Sequence, residues 1–275
     1  MEVVMKICLR APAWAAVLCL ATRVATTQVI PWPRGDRLVA DARVDSARYD
    51  ATGGVLLLRY TLTIDPASEQ HARVFVVQAR APVVSVRAPE PAHSWVTVGP
   101  QPGDSVAFWG SASRQQDVAP GVSRPGFELR ARGLPGVARF WVEGRYDAPT
   151  VSPADEDRVA EAPRVEDNSF TGLTIGIESV DIPAASGLLA RLRGLATRSC
   201  ELHWVTTEGV CHSLEVKLGQ AQASLERGNA TAARAQLQAF LNELDAQHGP
   251  EPGKHVTDNG FWLLKINVEY LVSRL

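Results

Sequence analysis

Two cysteines, Cys200 and Cys211, are the residues whose type and spacing bear most directly on chemistry. An even pair of cysteines in an exported chain most simply forms a disulfide, and such a bond would close a short loop. Free thiols and a zinc site are the alternatives, the second because His203 and His212 lie close by. The order of these four residues does not match the paired spacing of zinc modules. We therefore predict a disulfide.

The sequence lacks the common catalytic motifs. The sequence has no His-Glu-x-x-His, no Gly-x-Ser-x-Gly and no Walker A loop. Its six histidines fall in or near predicted loops or element ends, where a surface position or a satisfied histidine is the ordinary interpretation. We predict no catalytic residue and no cofactor. A carboxylate pair assembled only in three dimensions leaves a hydrolase as the alternative, because such a pair has no spacing in the sequence.

An acidic, proline-containing segment spans residues 151–168 and contains Asp155, Glu156 and Asp157. We interpret it as a loop of the preceding domain or a linker. Clustered carboxylates are what a hard cation such as calcium requires, so these three residues are the calcium candidate. No EF-hand spacing is present, and we predict no metal site.

Three tryptophans, Trp95, Trp109 and Trp141, belong to the predicted β region. Most aromatic side chains of such a domain should lie in its core. One or two on an exposed face would form a platform on which a sugar ring can stack. These three residues are therefore the candidate ligand-binding set.

The N-terminus has the order of a secretory signal: positive residues, a short apolar run and then small residues, which predicts a signal peptide over residues 1–25. Its apolar run is too short to span a membrane. It contains Cys8 and Cys19, so only the later cysteine pair remains in the mature chain. An apolar fraction of 45% indicates a globular protein, and a net charge of −2 gives no basic field for nucleic acid.

The chain between residues 35 and 182 is predicted to consist of strands. Residues 55–64 alternate with a period of two, burying every second residue from Leu56 to Ile64. Further β-prone runs follow at 74–77, 83–86, 95–98, 106–109, 127–129, 137–142 and 173–177, with frequent Pro and Gly between them. This pattern predicts an antiparallel β-sandwich of the immunoglobulin-like class.

From residue 183 to 275 the apolar period changes to about 3.6, which predicts four helices in a small bundle. Asn229 or Thr231 is expected to cap the third helix and Thr257 the fourth. The fourth helix is predicted to bury an apolar stripe that comprises Trp262, Leu263, Ile266, Tyr270 and Leu271.

This C-terminal region resembles the FIMAH domain of extracellular bacterial proteins. The resemblance rests on Ser213-Leu214, Lys217-Leu218, Ala221, Arg227-Gly228-Asn229, Ala233, Leu237, Ala239-Phe240-Leu241, Ala246-Gln247, Leu263-Leu264-Lys265-Ile266-Asn267 and Tyr270-Leu271. The β region is similar to uncharacterised secreted bacterial domains, through Trp109, residues 119–127 and residues 133–136. The resemblance to the FIMAH domain implies an accessory or interaction role and no chemistry.

Together these observations predict an α+β protein of two domains, secreted or periplasmic. The expected function is a non-catalytic binding or assembly protein of the bacterial envelope or exterior. The sandwich would contact an extracellular glycan or an envelope protein, with no nucleic acid and no membrane span after signal cleavage. A secreted hydrolase with a carboxylate site in a cleft of the β domain is the alternative.

Overall fold

A computed structural model describes residues 29–91, 93–97, 105–153, 158–182 and 184–275. The predicted signal peptide lies outside these residues. In the described part of the chain the strands are β1 (Ala40–Asp50), β2 (Val55–Ile64), β3 (Ala72–Gln78), β4 (Val83–Arg87), β5 (Trp95–Thr97), β6 (Val106–Ser111), β7 (Ser123–Arg132), β8 (Leu134–Gly144) and β9 (Phe170–Glu178). The helices are α1 (Ala185–Glu201), α2 (Glu208–Glu226), α3 (Ala230–Gln247) and α4 (Asp258–Val272).

The strands form two antiparallel sheets that pack face to face. The first sheet has the order β1-β2-β7-β4 and the second β5-β6-β3-β8-β9. The division into four and five strands is that of a variable-type immunoglobulin domain. The prediction of an antiparallel sandwich followed by a helical bundle is confirmed.

The sandwich core contains the residues that the period of two predicts. Leu56, Leu58 and Leu62 of β2 are fully buried. Tyr60, on the same face, donates a hydrogen bond from its hydroxyl to the carbonyl of Ile175 in the opposite sheet, at 2.9 Å. Burial raises the pKa of Tyr60 well above its usual range, because the phenolate would lose its hydration. The two sheets are thus joined by a polar contact inside an apolar core.

Helices α3 and α4 begin at the capping residues that the sequence predicts. The Asn229 side chain accepts from the amide of Ala232 at 2.9 Å, and Thr257 Oγ1 accepts from the amide of Gly260 at 3.3 Å. Asn229 is therefore the cap of α3, and Thr257 is the cap of α4. The buried leucines of α1, α2 and α3 form one bundle core with one face of α4.

None of the helices in the described ranges combines the length and the apolar character needed to cross a membrane.

Helix α4 packs against both modules of the chain, which are the β-sandwich and the helical bundle. Leu264 and Val268 lie in the bundle core, whereas Leu263 and Ile266 lie in the sandwich core. Part of the predicted stripe of α4 is thus buried against the sandwich, which its spacing in the sequence does not indicate. The helix is apolar on two faces because it lies between the modules, and a helix buried on several sides needs more than one stripe.

The edge of β1 that does not pair with β2 is covered by a side-chain amide of α4. Asn259 Oδ1 accepts from the amide of Val44 at 2.8 Å, and Asn259 Nδ2 donates to the carbonyl of Ala42 at 3.2 Å. Residues 42 and 44 point their backbone groups to the same side of the strand, so one amide side chain reproduces the contacts of a neighbouring strand. Asn259 therefore satisfies backbone groups that the edge of a sheet otherwise leaves unpaired.

A second polar contact joins the bundle to the start of β8. The carbonyl of Pro135 accepts from Asn267 Nδ2 and from the Arg191 guanidinium, both at 3.0 Å. Arg191 also contacts the Asn267 side-chain oxygen and forms an ion pair with Glu178 at 3.1 Å. The modules are thereby fixed in one relative orientation by buried hydrogen bonds as well as by apolar packing.

Gly260 allows a close approach between α4 and the segment after α1. A Cβ at this position would lie 2.6 Å from the backbone oxygen of Trp204, which cannot move aside as a flexible side chain would. We expect Gly260→Ala to lower the free energy of unfolding by about 1–3 kcal/mol. Gly219 of α2 is the matched control, because a Cβ there meets no atom within 4 Å. Gly219→Ala should raise stability by about 1 kcal/mol through helix propensity.

Urea unfolding of both variants measures this difference. Equal midpoints for Gly260→Ala and Gly219→Ala would contradict the tight contact at Trp204.

Candidate functional site

The three tryptophans of the candidate set are buried. Trp95 and Trp109 are 2% and 0% exposed, and their indole nitrogens donate to the carbonyls of Gln116 and Arg87. Trp141 is 8% exposed and packs with valines on the outer face of the second sheet. None of the three offers a ring face to solvent, so they do not form an exposed platform. Trp95 and Trp109 fill the sandwich core instead, and Trp141 is covered by its neighbours on the outer face.

The two other predicted sites have different outcomes. Cys200 and Cys211 form the predicted disulfide, which joins the last turn of α1 to the first turn of α2. The calcium candidate, Asp155, Glu156 and Asp157, lies outside the described residues. Among the residues that the structure does describe, no group of three or more His, Cys, Asp or Glu side chains is placed to hold a metal ion.

Aromatic residues distinguish one cavity region from the others. A groove of about 490 Å³ between α1 and α2 and a cleft of about 520 Å³ on the first sheet are larger, but neither is lined by an aromatic side chain. A smaller groove of about 300 Å³, which we call the junction groove, lies between the end of β1 and α4. It is lined by Ala47, Arg48, Tyr49, Ala51, Trp262, Ile266, Glu269, Tyr270 and Ser273.

A β-bulge determines which residues of β1 face the junction groove. Before the bulge, Ala42 and Val44 are buried, so even-numbered positions face inward. The register with β2 shifts between Val44 and Ser46. After the shift, Ala47 and Tyr49 are the positions that pack towards the core and α4. The extra residue of a bulge exchanges the two faces of a strand, which places Tyr49 in the groove.

Helix α4 supplies the opposite wall of the junction groove. Trp262, Ile266, Tyr270 and Ser273 recur at spacings of four, four and three, and therefore lie on one face of the helix. Trp262, Tyr270 and Tyr49 are each partly exposed. Three aromatic rings thus line one groove with small residues between them, a composition that leaves ring surface accessible to a ligand.

The tyrosine pair at the centre of this region is held in place by its neighbours. The rings of Tyr49 and Tyr270 meet edge to face with centroids 5.6 Å apart. The Arg274 guanidinium lies 5.0 Å from the centroid of the Tyr270 ring and donates to its hydroxyl at 2.9 Å. Partial burial, with a contribution from Tyr270, raises the pKa of Tyr49. The Tyr49 phenol is therefore neutral at physiological pH and available as a donor and an acceptor.

Two further depressions adjoin the junction groove. The sheet-face depression, of about 360 Å³, lies on the outer face of the first sheet and is lined by Arg48, Asp50, Val55, Leu57 and Arg130 together with Tyr49 and Ala51. The turn-side depression, of about 440 Å³, includes Arg132, Asp181 and Arg274. All three share Tyr49 and Ala51, so they form one continuous region around the Tyr49 ring.

Comparison with known proteins supports the organisation of the chain. Residues 189–273 match the family model of the FIMAH domain, which confirms the resemblance of the helical module to that family. A search of curated proteins finds no match. One similar solved structure is that of an uncharacterized protein from Nocardia farcinica, described as having an immunoglobulin-like fold. It is 18% identical, covers 52% of this chain and 98% of its own, and has a TM-score of 0.28. At this TM-score the sheet pairing, and not the similarity, establishes the fold.

Proposed function

We propose that this chain is an exported, non-catalytic binding protein whose junction groove binds a carbohydrate chain. The observation that carries the proposal is the convergence of Tyr49, Trp262 and Tyr270, all partly exposed, on one groove. The apolar face of a sugar ring carries polarised C–H groups that stack on the electron-rich face of an aromatic ring. Export is consistent with the disulfide, because such bonds persist in oxidising compartments.

Polar groups at the rim of the groove suit the hydroxyl groups of a sugar. Arg48 offers donors, Glu269 offers acceptors and Ser273 offers both. A mainly apolar cavity with a few polar groups at fixed positions is the usual composition of a ligand site. The location supports the same conclusion, since ligand sites occur preferentially where two domains meet.

The alternative hydrolase would use the cleft on the first sheet, which contains Asp45, Glu90 and Glu128. Two of these carboxylates are ion-paired, Asp45 with Arg43 at 2.9 Å and Glu128 with Arg59 at 2.7 Å. Both carboxylates are thus already engaged by arginine side chains of the protein, whereas a catalytic carboxylate must be free to contact the reacting group of a substrate. The aromatic groove therefore supports binding better than this cleft supports catalysis.

Replacement of Tyr49 tests the binding proposal. We expect Tyr49→Ala to weaken binding of a polysaccharide fragment at least about tenfold, which is about 1.4 kcal/mol, because the central stacking surface is lost. Tyr49→Phe keeps the ring and should bind within about threefold of the unmodified protein. Isothermal titration calorimetry on the full mature chain, against a panel of neutral and acidic oligosaccharides, measures both effects.

Tyr146→Ala is the matched control, because Tyr146 is a partly exposed tyrosine that lies against Arg73 and Glu143, away from the groove. It should leave affinity unchanged. Equal affinities for Tyr49→Ala and Tyr146→Ala, with both variants folded by circular dichroism, would refute the assignment of the groove.

A further inference from the structure

We propose that the carbohydrate recognised at the junction groove is an acidic polysaccharide whose sugars carry carboxylate groups. This inference rests on the glycan-binding function proposed above and goes beyond it by specifying the charge of the ligand. It follows from the arginine residues that surround Tyr49.

Four exposed arginines line the three adjoining depressions: Arg48, Arg130, Arg132 and Arg274. In the part of the chain that the structure describes, none of the four forms an ion pair with an acidic side chain. Other arginines of the sandwich are paired, for example Arg73 with Glu143 at 2.7 Å. Arg48, Arg130 and Arg132 therefore keep their guanidinium donors available for an external carboxylate, which a guanidinium binds in a bidentate manner. Arg274 adds positive charge to the same region while it donates to the Tyr270 hydroxyl.

The strand register places three of these arginines on one surface. In the strand register, Arg48 of β1 and Arg130 of β7 lie opposite Leu57 of β2, one on each side of it. Arg132 of β7 lies opposite Val55, the next residue of β2 on the same face. Arg48 and Arg130 are thus two strand spacings apart, or about 10 Å. The apolar side chains between them leave an uncharged surface over which a chain of sugars can extend from the junction groove.

The acidic residues nearby do not neutralise this surface. Asp50 offsets one of the four arginines, and its Oδ1 also accepts from the amide of Thr52 within its own turn, at 3.0 Å. Glu269 is partly desolvated, which raises its pKa and disfavours its charge. Asp181 is the remaining acidic residue, and it lines only the turn-side depression. A local positive excess therefore surrounds Tyr49 in a chain whose net charge is −2.

A pair of oligosaccharides that differ only in charge tests the inference. The probes are an oligogalacturonate and the same oligomer with its carboxylates methyl-esterified, titrated into the full mature chain. We expect the acidic oligomer to bind at least about tenfold more tightly. Its affinity should fall about fivefold between 50 and 300 mM NaCl, because salt screens exposed charges, while binding of the ester should not change.

Substitution identifies the arginines involved. Arg130→Gln combined with Arg132→Gln should weaken binding of the acidic oligomer about tenfold or more and leave binding of the ester unaltered, because neither arginine lines the junction groove itself. Arg139→Gln is the control, since Arg139 is exposed on the other sheet and has no ion pair among the described residues. It should bind both oligomers as the unmodified protein does. Thermal melts establish that each variant is folded.

The outcomes separate this inference from the proposed function. Equal binding of the two oligomers, lost in Tyr49→Ala, would overturn the preference for an acidic ligand and keep the carbohydrate groove. Binding of neither oligomer, nor of any neutral oligosaccharide, would overturn both. Single-stranded DNA bound as tightly as oligogalacturonate would overturn the inference, because stacking and phosphate contacts would then explain the same surface.

Discussion

Asn259→Ala is expected to lower the free energy of unfolding by about 2–3 kcal/mol, because it leaves the buried amide of Val44 without an acceptor. Asn259 is 5% exposed, so water cannot readily replace the lost contact. The carbonyl of Ala42 keeps one donor, Thr174 Oγ1 at 2.6 Å, and should contribute less to the loss. Guanidinium unfolding followed by tryptophan fluorescence measures the change.

Two further variants test whether the loss of stability comes from the side-chain amide of Asn259. Asn259→Asp keeps the acceptor but loses the donor and adds a buried charge, so it should destabilise at least as much as alanine. Asn242→Ala removes an exposed asparagine of α3 and should change stability by less than about 0.5 kcal/mol. A midpoint for Asn259→Ala equal to that of Asn242→Ala would contradict the role of the amide at the strand edge.

Loss of the disulfide is expected to be of similar size. Cys200→Ser combined with Cys211→Ser should lower the free energy of unfolding by about 2–3 kcal/mol, because closure of a loop of this length restricts the unfolded chain. The two bonded cysteines are 11 positions apart in the sequence, and the bond joins α1 to α2. The bundle should therefore lose more stability than the sandwich.

A reductant provides the internal control for this prediction. Dithiothreitol should lower the melting temperature of the unmodified protein to that of the double variant and should not shift the variant. A reductant-induced shift in the variant, or equal melting temperatures of the two proteins without reductant, would contradict the stabilising role of the bond.

The fold could be predicted largely from the sequence because its signals are local. The period of two in β2, the period of 3.6 in the helices and the caps Asn229 and Thr257 each depend on residues close together in the chain. Strand β1 was not predicted, since its buried face is formed by Ala40, Ala42 and Val44, of which only Val44 is a typical strand residue. The bulge then interrupts the alternation that identifies a strand.

The candidate site could not be predicted because it depends on packing between modules. Tyr49 reaches the groove only because the bulge exchanges the faces of β1. Trp262 and Tyr270 belong to a stripe that resembles an ordinary core stripe, and nothing in the spacing shows that α4 also contacts a sheet. Of the tryptophans chosen from the sequence, Trp95 and Trp109 are buried because the sandwich needs large side chains at its centre, and Trp141 is buried in a separate cluster on the outer face of the second sheet.

The amide contact of Asn259 also constrains the order in which this protein can fold. It links residues that are 215 positions apart, and contacts so distant in the chain form slowly because a long loop must close first. During synthesis β1 is complete long before α4 exists. The newly made sandwich therefore holds an incomplete strand edge until α4 arrives, and a chain interrupted before residue 258 would present that edge to other molecules. Folding of the first strand is thus coupled to synthesis of α4.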